Sequence, residues 1–257
     1  MDEKYFTLID KDESHILIHI PHSSLNIPSN MDDDYFLTKE ELAKEAKIMA
    51  DMFTDELFGN ALNKYGGIKL DVSRVFLDVE RFRDDDLESM ATIGMGLAYT
   101  KTSDLKELRS LEYKKEILDI YDKYHLAFEK LVEKKLAKHN KCLIIDCHSF
   151  PSKPLPFQQG QDYQGVQICI GVEDFHRDDQ FVKKVKKKFN GRFHNYKIEE
   201  NIPYQGSIVP TKYYKKDPRV HSVMLEIDRS TYMDDRKQFK KNSNFTHIKN
   251  VLDEILS

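Results

Sequence analysis

The sequence predicts an α/β fold, with one domain and a mixed, mostly parallel sheet flanked by helices. Short runs of β-type residues alternate with longer helical patterns along the chain, which is typical of strand–helix–strand units. Residues 142–146 (Cys-Leu-Ile-Ile-Asp) form an apolar run, as in strands that a parallel sheet buries on both faces. The 257 residues are 40% hydrophobic, which suffices for one core, so we expect a single domain over residues 1–257.

The predicted strands are short runs rich in β-branched and aliphatic residues. The first run, residues 15–20 (His-Ile-Leu-Ile-His-Ile), stops at Pro21, which has no backbone N–H to continue a strand ladder. The predicted strands span residues 15–20, 68–72, 75–79, 142–146, 166–170 and 222–227.

The predicted helices carry apolar residues at three- and four-residue steps, the spacing of one buried helical face. In the first helix, Leu42, Ala46 and Met49 follow this spacing, and Gly66 and Gly67 come after its end, where glycine is common. The longest helical region is highly charged and should pack across the sheet through one apolar stripe. The predicted helices span residues 39–63, 104–139, 178–189 and 244–256.

Composition argues against several classes of protein. Lys and Arg total 40 against 44 Asp and Glu, a formal charge of −4, so the chain has no positive field to hold nucleic acid. The three cysteines, Cys142, Cys147 and Cys169, lie in apolar segments and are expected to be reduced core residues. The N-terminus lacks the layout of a secretory signal, and no window approaches about 18 consecutive apolar residues. We therefore expect a cytoplasmic protein without nucleic-acid or membrane partners.

Polar residues lie at the ends of three predicted strands. His22 follows the first strand, Asp146, His148 and Ser149 close another, and Glu226 lies in the last. Because the carboxyl ends of neighbouring strands line a shared crevice in open α/β sheets, we expect these side chains at one rim. Two neutral imidazoles and a carboxylate are the ligand set of a catalytic zinc site that keeps a position open for water. The alternative is that each histidine is a hydrogen-bonded loop residue.

Five segments of the chain carry a resemblance to a known family. They follow one another in the order seen in the N-formylglutamate amidohydrolase family, from about Ile16 to Met233. The resemblance implies a phosphorylase/hydrolase-like α/β fold, related to zinc carboxypeptidases and aspartoacylases. It also implies one catalytic domain that hydrolyses a small-molecule N-formyl- or N-acyl-amino acid with Zn²⁺. The segments are residues 21–24 (Pro-His-Ser-Ser), 73–81 (Ser-Arg-Val-Phe-Leu-Asp-Val-Glu-Arg), 124–125 (Tyr-His), 146–149 (Asp-Cys-His-Ser) and 225–229 (Leu-Glu-Ile-Asp-Arg).

The resemblance also implies the metal ligands. His22 and His148 match the two imidazoles of the wider group, whereas the carboxylate that carboxypeptidases place three residues after the first histidine is Leu25 here. Asp51, which matches an acidic position of the family, is the expected third ligand. Asp55 is the alternative, since residues four apart share one face of a helix. A solvated helix surface is the remaining interpretation of both.

For the substrate, the resemblance implies that Arg81 engages a carboxylate, to which a planar guanidinium is suited. Arg81 ends a segment similar to the family's Asp-hydrophobic-Asn-Arg motif, and Glu80 replaces the motif's Asn. Glu80 is expected either to pair with a cation or to indicate a different substrate. Lys212 stands where the family often has arginine and is expected to attract an anion, with Ser149 as a further substrate contact. A structural salt bridge is the alternative for Arg81.

Two further residues are expected to be catalytic. Glu226 matches the general-base glutamate of the carboxypeptidase-like group, and its apolar neighbours should raise its proton affinity. The alternative is an ion pair between Glu226 and Arg229. His125 matches another family position, although on a helix it could instead cap or pack.

These assignments predict that zinc activates a water, that Glu226 takes its proton, and that hydroxide attacks a formyl or acyl amide carbon. Two other hypotheses stay open. One is a zinc amidase or peptidase with a larger peptide or peptidoglycan substrate, which the departures at Glu80 and Lys212 allow. The other is a catalytically silent relative that binds a metal or ligand.

Overall fold

A seven-stranded sheet forms the centre of the computed structural model, which describes residues 4–257 without the side chains of residues 31–33. The strand order is β1-β3-β2-β4-β7-β5-β6. β2, β3, β4 and β7 pair in parallel, as do β5 and β6, whereas β1 and β5 join antiparallel to β3 and β7. The predicted mixed, mostly parallel sheet is confirmed. The strands are β1 Phe6–Ile9, β2 Ile16–Ile20, β3 Gly67–Leu70, β4 Cys142–Phe150, β5 Ile168–Gly171, β6 Ile198–Glu200 and β7 Val220–Asp228.

Helices cover both faces of this sheet. Leu57 of α2, Leu62 of α3 and Ile248 of α6 belong to one apolar core with Ile145 of β4, and α5 joins the same core. On the opposite face, α4 packs against side chains that include Ile144. It is the only α-helix in this core among the described residues. Neighbouring residues of β4 therefore enter opposite cores, as the two-residue period of a strand requires. The helices are α1 Lys39–Met49, α2 Thr54–Leu57, α3 Gly59–Tyr65, α4 Lys114–His139, α5 Asp179–Arg192 and α6 Phe245–Ile255.

Short elements complete the described chain. A second, two-stranded sheet pairs β8 with β9, and the remaining elements are short 3-10 helices. Within residues 4–257, no helix combines the length and the apolar composition needed to cross a bilayer. The elements are β8 Met233–Asp234, β9 Lys240–Lys241 and 3-10 helices at Ser29–Asp34, Asp85–Leu87, Ser89–Ile93, Pro156–Gln158 and Arg229–Thr231.

The helix predicted over residues 39–63 was wrong as one element, because the chain leaves helical geometry twice. Ala50 is extended, and Phe53 adopts a left-handed φ of 68°. Between them, the backbone N–H of Asp51 donates to the carbonyl of His22 at 2.9 Å instead of continuing the helix. Asp51 and Asp55 therefore do not share one helical face. The break moves Asp51 from a helix surface to the rim of the sheet.

The strand predicted over residues 75–79 was also wrong. This segment is a buried, irregular loop in which the backbone N–H groups of Phe76 and Leu77 both donate to the carbonyl of Ser73. Buried Arg109 donates to the carbonyl of Phe76 at 2.8 Å, a contact that a strand ladder would otherwise provide, and to that of Tyr99 in a neighbouring segment at 2.9 Å. Alternating apolar residues here indicated burial, which irregular backbone can also provide when a side chain satisfies its carbonyls.

The predicted helix over residues 104–139 begins ten residues later, at Lys114. Leu105 and Leu111 have positive φ values of 64° and 67°, which right-handed helix excludes. The helix ends where predicted, with Asn140 as a left-handed cap. The other predicted strands and helices are confirmed to within a few residues, except that β4 continues to Phe150. The sequence analysis missed β1 and β6.

Lys135 is a buried cation of α4 that joins the loop before β2 to the end of α3. Its ammonium donates to the carbonyls of Ser14 and Tyr65 at 2.7 and 2.9 Å, and the residue is 1% exposed. Because Lys135→Met would leave both carbonyls without this donor, we expect a loss of roughly 1–3 kcal/mol in the free energy of unfolding. Urea denaturation would measure it. Lys134→Met is the matched control, because exposed Lys134 pairs only with Asp10; equal stability of the two variants would contradict this role.

Candidate active site

A cavity of about 210 Å³ opens at the carboxyl ends of β2, β4 and β7. The paired strands β4 and β7 place His148 directly opposite Glu226. Crevices at this edge of an α/β sheet are the usual binding sites of the class. The cavity is lined by His22, Asp51, Glu80, Arg81, His148, Ser149 and Glu226, all predicted as site residues, and also by Arg74, Tyr99, Tyr204 and Arg229.

His22 is held by a carboxylate on one ring nitrogen and is open on the other. Nε2 lies 2.9 Å from Oδ1 of Asp78. Among the described residues, no group hydrogen-bonds to Nδ1, although the side chain is 1% exposed. Burial opposes protonation, but Asp78 and Asp51 outweigh it and raise the pKa of His22. A buried imidazole with one oriented nitrogen and one orphaned nitrogen is the arrangement of a metal-ligating histidine.

His148 also contacts carboxylates, through both ring nitrogens. Nε2 lies 2.9 Å from Oδ1 of Asp146 and 3.2 Å from Oε1 of Glu80. Nδ1 lies 3.0 Å from Oδ2 of Asp51. Burial opposes protonation, but Glu80 and Asp146 raise the pKa of His148 well above its usual range. The rings of His148 and His22 are 5.1 Å apart between centroids, so the two imidazoles face one small volume.

Two carboxylates approach both imidazoles. Oδ2 of Asp51 lies 3.7 Å from Nδ1 of His22 and 3.0 Å from Nδ1 of His148. Oε2 of Glu80 lies 3.7 Å from the same nitrogen of His22, and donor atoms of His22, Glu80 and His148 all fall within 4.8 Å of one another. Asp51 and Glu80 are therefore the geometric candidates for a third ligand. Asp55, on α2, does not line the cavity.

A second group that could hold a metal consists of His19, Glu80 and Asp146. Nδ1 of His19 lies 2.8 Å from Oδ1 of Asp146, the oxygen that also contacts His148. The His19 ring stacks on Phe128 at 4.8 Å between centroids. The sequence analysis missed His19, although a histidine inside the apolar run of β2 was a signal. The contact between His19 and Asp146 orients the Asp146 carboxylate, which in turn orients His148.

The charges of the cluster do not balance without protons or a cation. Five carboxylates meet three guanidiniums there, which leaves two excess negative charges while the imidazoles are neutral. Glu80 and Asp146 raise the pKa of His148, and burial raises the pKa of Glu226, so both groups favour a bound proton. A divalent cation would replace these protons, so the donor set and the charge both fit a metal ion. The carboxylates belong to Asp51, Asp78, Glu80, Asp146 and Glu226, and the guanidiniums to Arg74, Arg81 and Arg229.

The arginines of the cluster pair with aspartates: Arg81 and Arg74 with Asp78, and Arg229 with Asp51. Arg81 lies 3.6 Å from Oδ2 of Asp78 and lines the cavity. Arg74 donates to the same carboxylate oxygen at 2.8 Å, a role that the sequence analysis missed. Arg229 was considered only as a partner of Glu226, whereas the structure pairs it with Oδ1 of Asp51 at 3.2 Å.

Glu226 is a buried carboxyl group with an open oxygen. The residue is 7% exposed, and among the described residues no group hydrogen-bonds to its Oε2. Burial raises the pKa of Glu226 to about 8. A carboxylate with this proton affinity, aimed into a cavity, is suited to accept and return a proton near neutral pH.

Two predicted site residues lie outside the cavity. His125 contacts the carbonyl of Val79 through Nε2 at 2.8 Å, and burial lowers its pKa to about 4. This geometry matches the packing alternative and offers no direct contact with a reacting group. Lys212 is exposed and lies 3.7 Å from Glu133 on α4. It does not line the cavity, so its placement gives no support to a substrate contact.

Paired imidazoles beside a buried glutamate, at the carboxyl ends of a mostly parallel sheet, define an α/β hydrolytic enzyme. The sequence model of the N-formylglutamate amidohydrolase family matches residues 14–233, and the chain therefore belongs to this family. The family identified from the five segments is confirmed, and with it an amidohydrolase activity.

Solved structures share the fold. An N-formylglutamate amidohydrolase from Ralstonia eutropha JMP134 superposes with a TM-score of 0.81 at 20% identity, covering 98% of this chain and 95% of that one. The gene product Atu2144 from Agrobacterium tumefaciens gives a TM-score of 0.65 at 14% identity, with the same shares of the chains covered. A comparison with curated proteins gives no match.

Proposed function

We propose that the protein is a zinc-dependent amidohydrolase that cleaves the amide bond of a small N-formyl- or N-acyl-amino acid. One observation carries the proposal: His22 and His148 are each held at Nε2 by a carboxylate, so that both Nδ1 atoms face Asp51, beside Glu226. Because the site draws on segments from His22 to Arg229, we treat residues 1–257 as one catalytic domain.

Zn²⁺ would be held by His22, His148 and Asp51. Asp51 is preferred over Glu80 because it faces the Nδ1 atoms of both histidines, whereas Glu80 meets His148 at the nitrogen that Asp146 already holds. Burial opposes ionisation of Asp51, but the two histidines lower its pKa below the usual range, so the carboxylate is available as a ligand. When bound, zinc would polarise the amide carbonyl and lower the pKa of a water.

The protein's own groups would then move the proton and hold the substrate. Glu226 accepts the proton of the attacking water through its open oxygen and returns it to the leaving nitrogen. Arg81, and Arg74 beside it, bind the carboxylate of the amino-acid part, since both line the cavity. Glu80 would repel a substrate carboxylate if it faced one, but its Oε1 lies 3.2 Å from Nε2 of His148, which pairs it with an imidazole.

Metal analysis combined with one turnover assay tests the proposal. We expect about one zinc per chain and hydrolysis of N-formylglutamate, measured as formate released. Removal of the metal should abolish turnover, and added zinc should restore it. Undiminished hydrolysis by metal-free protein would overturn the proposal. Stoichiometric zinc without hydrolysis of any N-acyl amino acid would instead favour a silent, ligand-binding relative.

Asp78 provides a further test, because it orients His22 without facing the metal position. It accepts hydrogen bonds from Arg74 and Tyr99 at 2.8 and 2.6 Å and lies 2.9 Å from Nε2 of His22. We expect Asp78→Asn to weaken zinc affinity about 10–100-fold, the usual effect of losing such a partner. Competition with a chromogenic chelator would measure the affinity. Asp71→Asn, a carboxylate outside the cavity, is the control; equal affinities would contradict this role.

A further inference from the structure

A second cleft, of about 500 Å³, lies next to the catalytic cavity. It lies between α1 and the loops of residues 102–106, 151–156 and 235–239. Pro151, Leu155 and Arg229 line both spaces. The two spaces therefore meet along one rim.

The cleft, at about 500 Å³, is more than twice as large as the catalytic cavity, at about 210 Å³. A water molecule takes up roughly 30 Å³ of liquid volume, so the catalytic cavity matches about seven waters and the cleft about seventeen. The cavity thus accommodates one small acyl-amino-acid unit. A longer substrate can continue past Arg229 into the cleft.

The carboxylates of the cleft are already engaged by the protein. Glu45 accepts from the backbone and hydroxyl groups of Ser103, and Glu41 accepts from Thr38. Asp104 pairs with Lys106 at 2.7 Å. Asp235 accepts from the backbone N–H of Ser152 at 2.8 Å. Each of these carboxylates therefore already has at least one hydrogen-bond or ion-pair partner in the protein.

Two cations of the cleft retain donors that a ligand can use. Lys44 is exposed and makes no hydrogen bond or ion pair with any described residue. Arg236 is exposed, donates to the hydroxyl of Ser152 at 3.0 Å, and lies 3.9 Å from Asp235. The lining carries four carboxylates and four cations, and because Lys44 and Arg236 keep open donors, an anionic group can bind beside these two side chains.

We propose that the acyl-amino-acid unit cleaved in the cavity can be the first residue of an N-acylated peptide, whose chain leaves past Arg229 and places a carboxylate near Lys44 and Arg236. This inference rests on the proposed function. Water adds across the acyl C–N bond, so that the acyl group leaves as a carboxylic acid and the peptide leaves with a free amino terminus. The cleft would hold this leaving peptide.

Three substrates test the inference on the zinc-loaded, full-length protein: N-formylglutamate, N-formyl-Glu-Ala-Glu and N-formyl-Glu-Ala-Ala-amide. We expect kcat/KM for the acidic tripeptide to exceed that for N-formylglutamate at least about tenfold, with the neutral amide in between. Lys44→Ala combined with Arg236→Ala should remove this advantage, mainly through KM, and leave N-formylglutamate hydrolysis unchanged. Lys184→Ala combined with Lys187→Ala, on the exposed face of α5, is the charge-matched control.

The outcomes separate the two proposals. Hydrolysis of N-formylglutamate without any preference for the acidic tripeptide overturns the peptide inference alone. The same holds if the double variant slows all three substrates equally. Absence of turnover with every substrate, in protein that has bound zinc, overturns the proposed function itself.

Discussion

Replacing His148 with alanine is expected to remove the bound metal and lower kcat/KM by more than about 100-fold, because partners that only orient a ligand already account for 10–100-fold. His148 is 3% exposed and contacts Asp51, Glu80 and Asp146. The variant also leaves three carboxylates without their shared partner, so metal content and thermal unfolding should be measured on the same sample.

His125→Gln is the matched control for the His148 variant. His125 is half-buried on α4 and contacts only a backbone carbonyl at its ring nitrogen, outside the cavity. We expect zinc content and turnover close to those of the native protein. A folded His148→Ala protein that keeps one zinc per chain would contradict the ligand assignment. Loss of turnover in His125→Gln with zinc retained would instead support the catalytic role predicted for His125.

Glu226→Gln is expected to lower kcat about 10²–10⁴-fold, the usual contribution of a positioned general base, while zinc stays bound and KM changes little. The amide keeps the shape of the side chain but cannot accept the proton of the attacking water. Steady-state kinetics with N-formylglutamate, together with zinc analysis, would measure the effect. A variant with native kcat would exclude Glu226 as the base.

The same variant gives a pH test on the metal-free protein. Burial raises the pKa of Glu226 from 4.5 to about 8, so the folded state keeps a proton that the unfolded chain releases above pH 4.5. Folding therefore becomes less favourable as pH rises from about 4.5 to about 8, and this loss is absent in Glu226→Gln. We expect the variant's advantage in unfolding temperature to grow across that window and then level off. A constant difference would contradict burial of the carboxyl group.

Much of the fold could be predicted from sequence because the central strands are continuous apolar runs. The ends of β2, β4 and β7 then brought His22, His148 and Glu226 to one rim through topology alone. The arrangement of Asp51 could not be predicted, since it depends on a backbone hydrogen bond to His22, 29 positions earlier in the sequence. A regular apolar spacing on both sides of residue 50 concealed the break.

The loop that carries Asp78, Glu80 and Arg81 was mistaken for a strand for a related reason. Its alternating apolar residues are buried, but side chains distant in sequence contact its backbone: Arg109 donates to the carbonyl of Phe76, and His125 contacts that of Val79. Such long-range donors leave no periodic signal in sequence. Arg74 and Arg229 were likewise missed as site residues, because an arginine's partner is decided by the loops that surround it.

The pairing of His148 with Glu226 across β4 and β7 has a consequence for folding errors. Both faces of these strands are buried, so a slip of two residues would keep every side chain on its original face. It would nevertheless carry the glutamate about 6.6 Å along the strand, out of reach of the reacting water. Turnover is thus a stricter reporter of strand alignment than stability, and a stable but inactive fraction in refolded protein would be the signature of misaligned molecules.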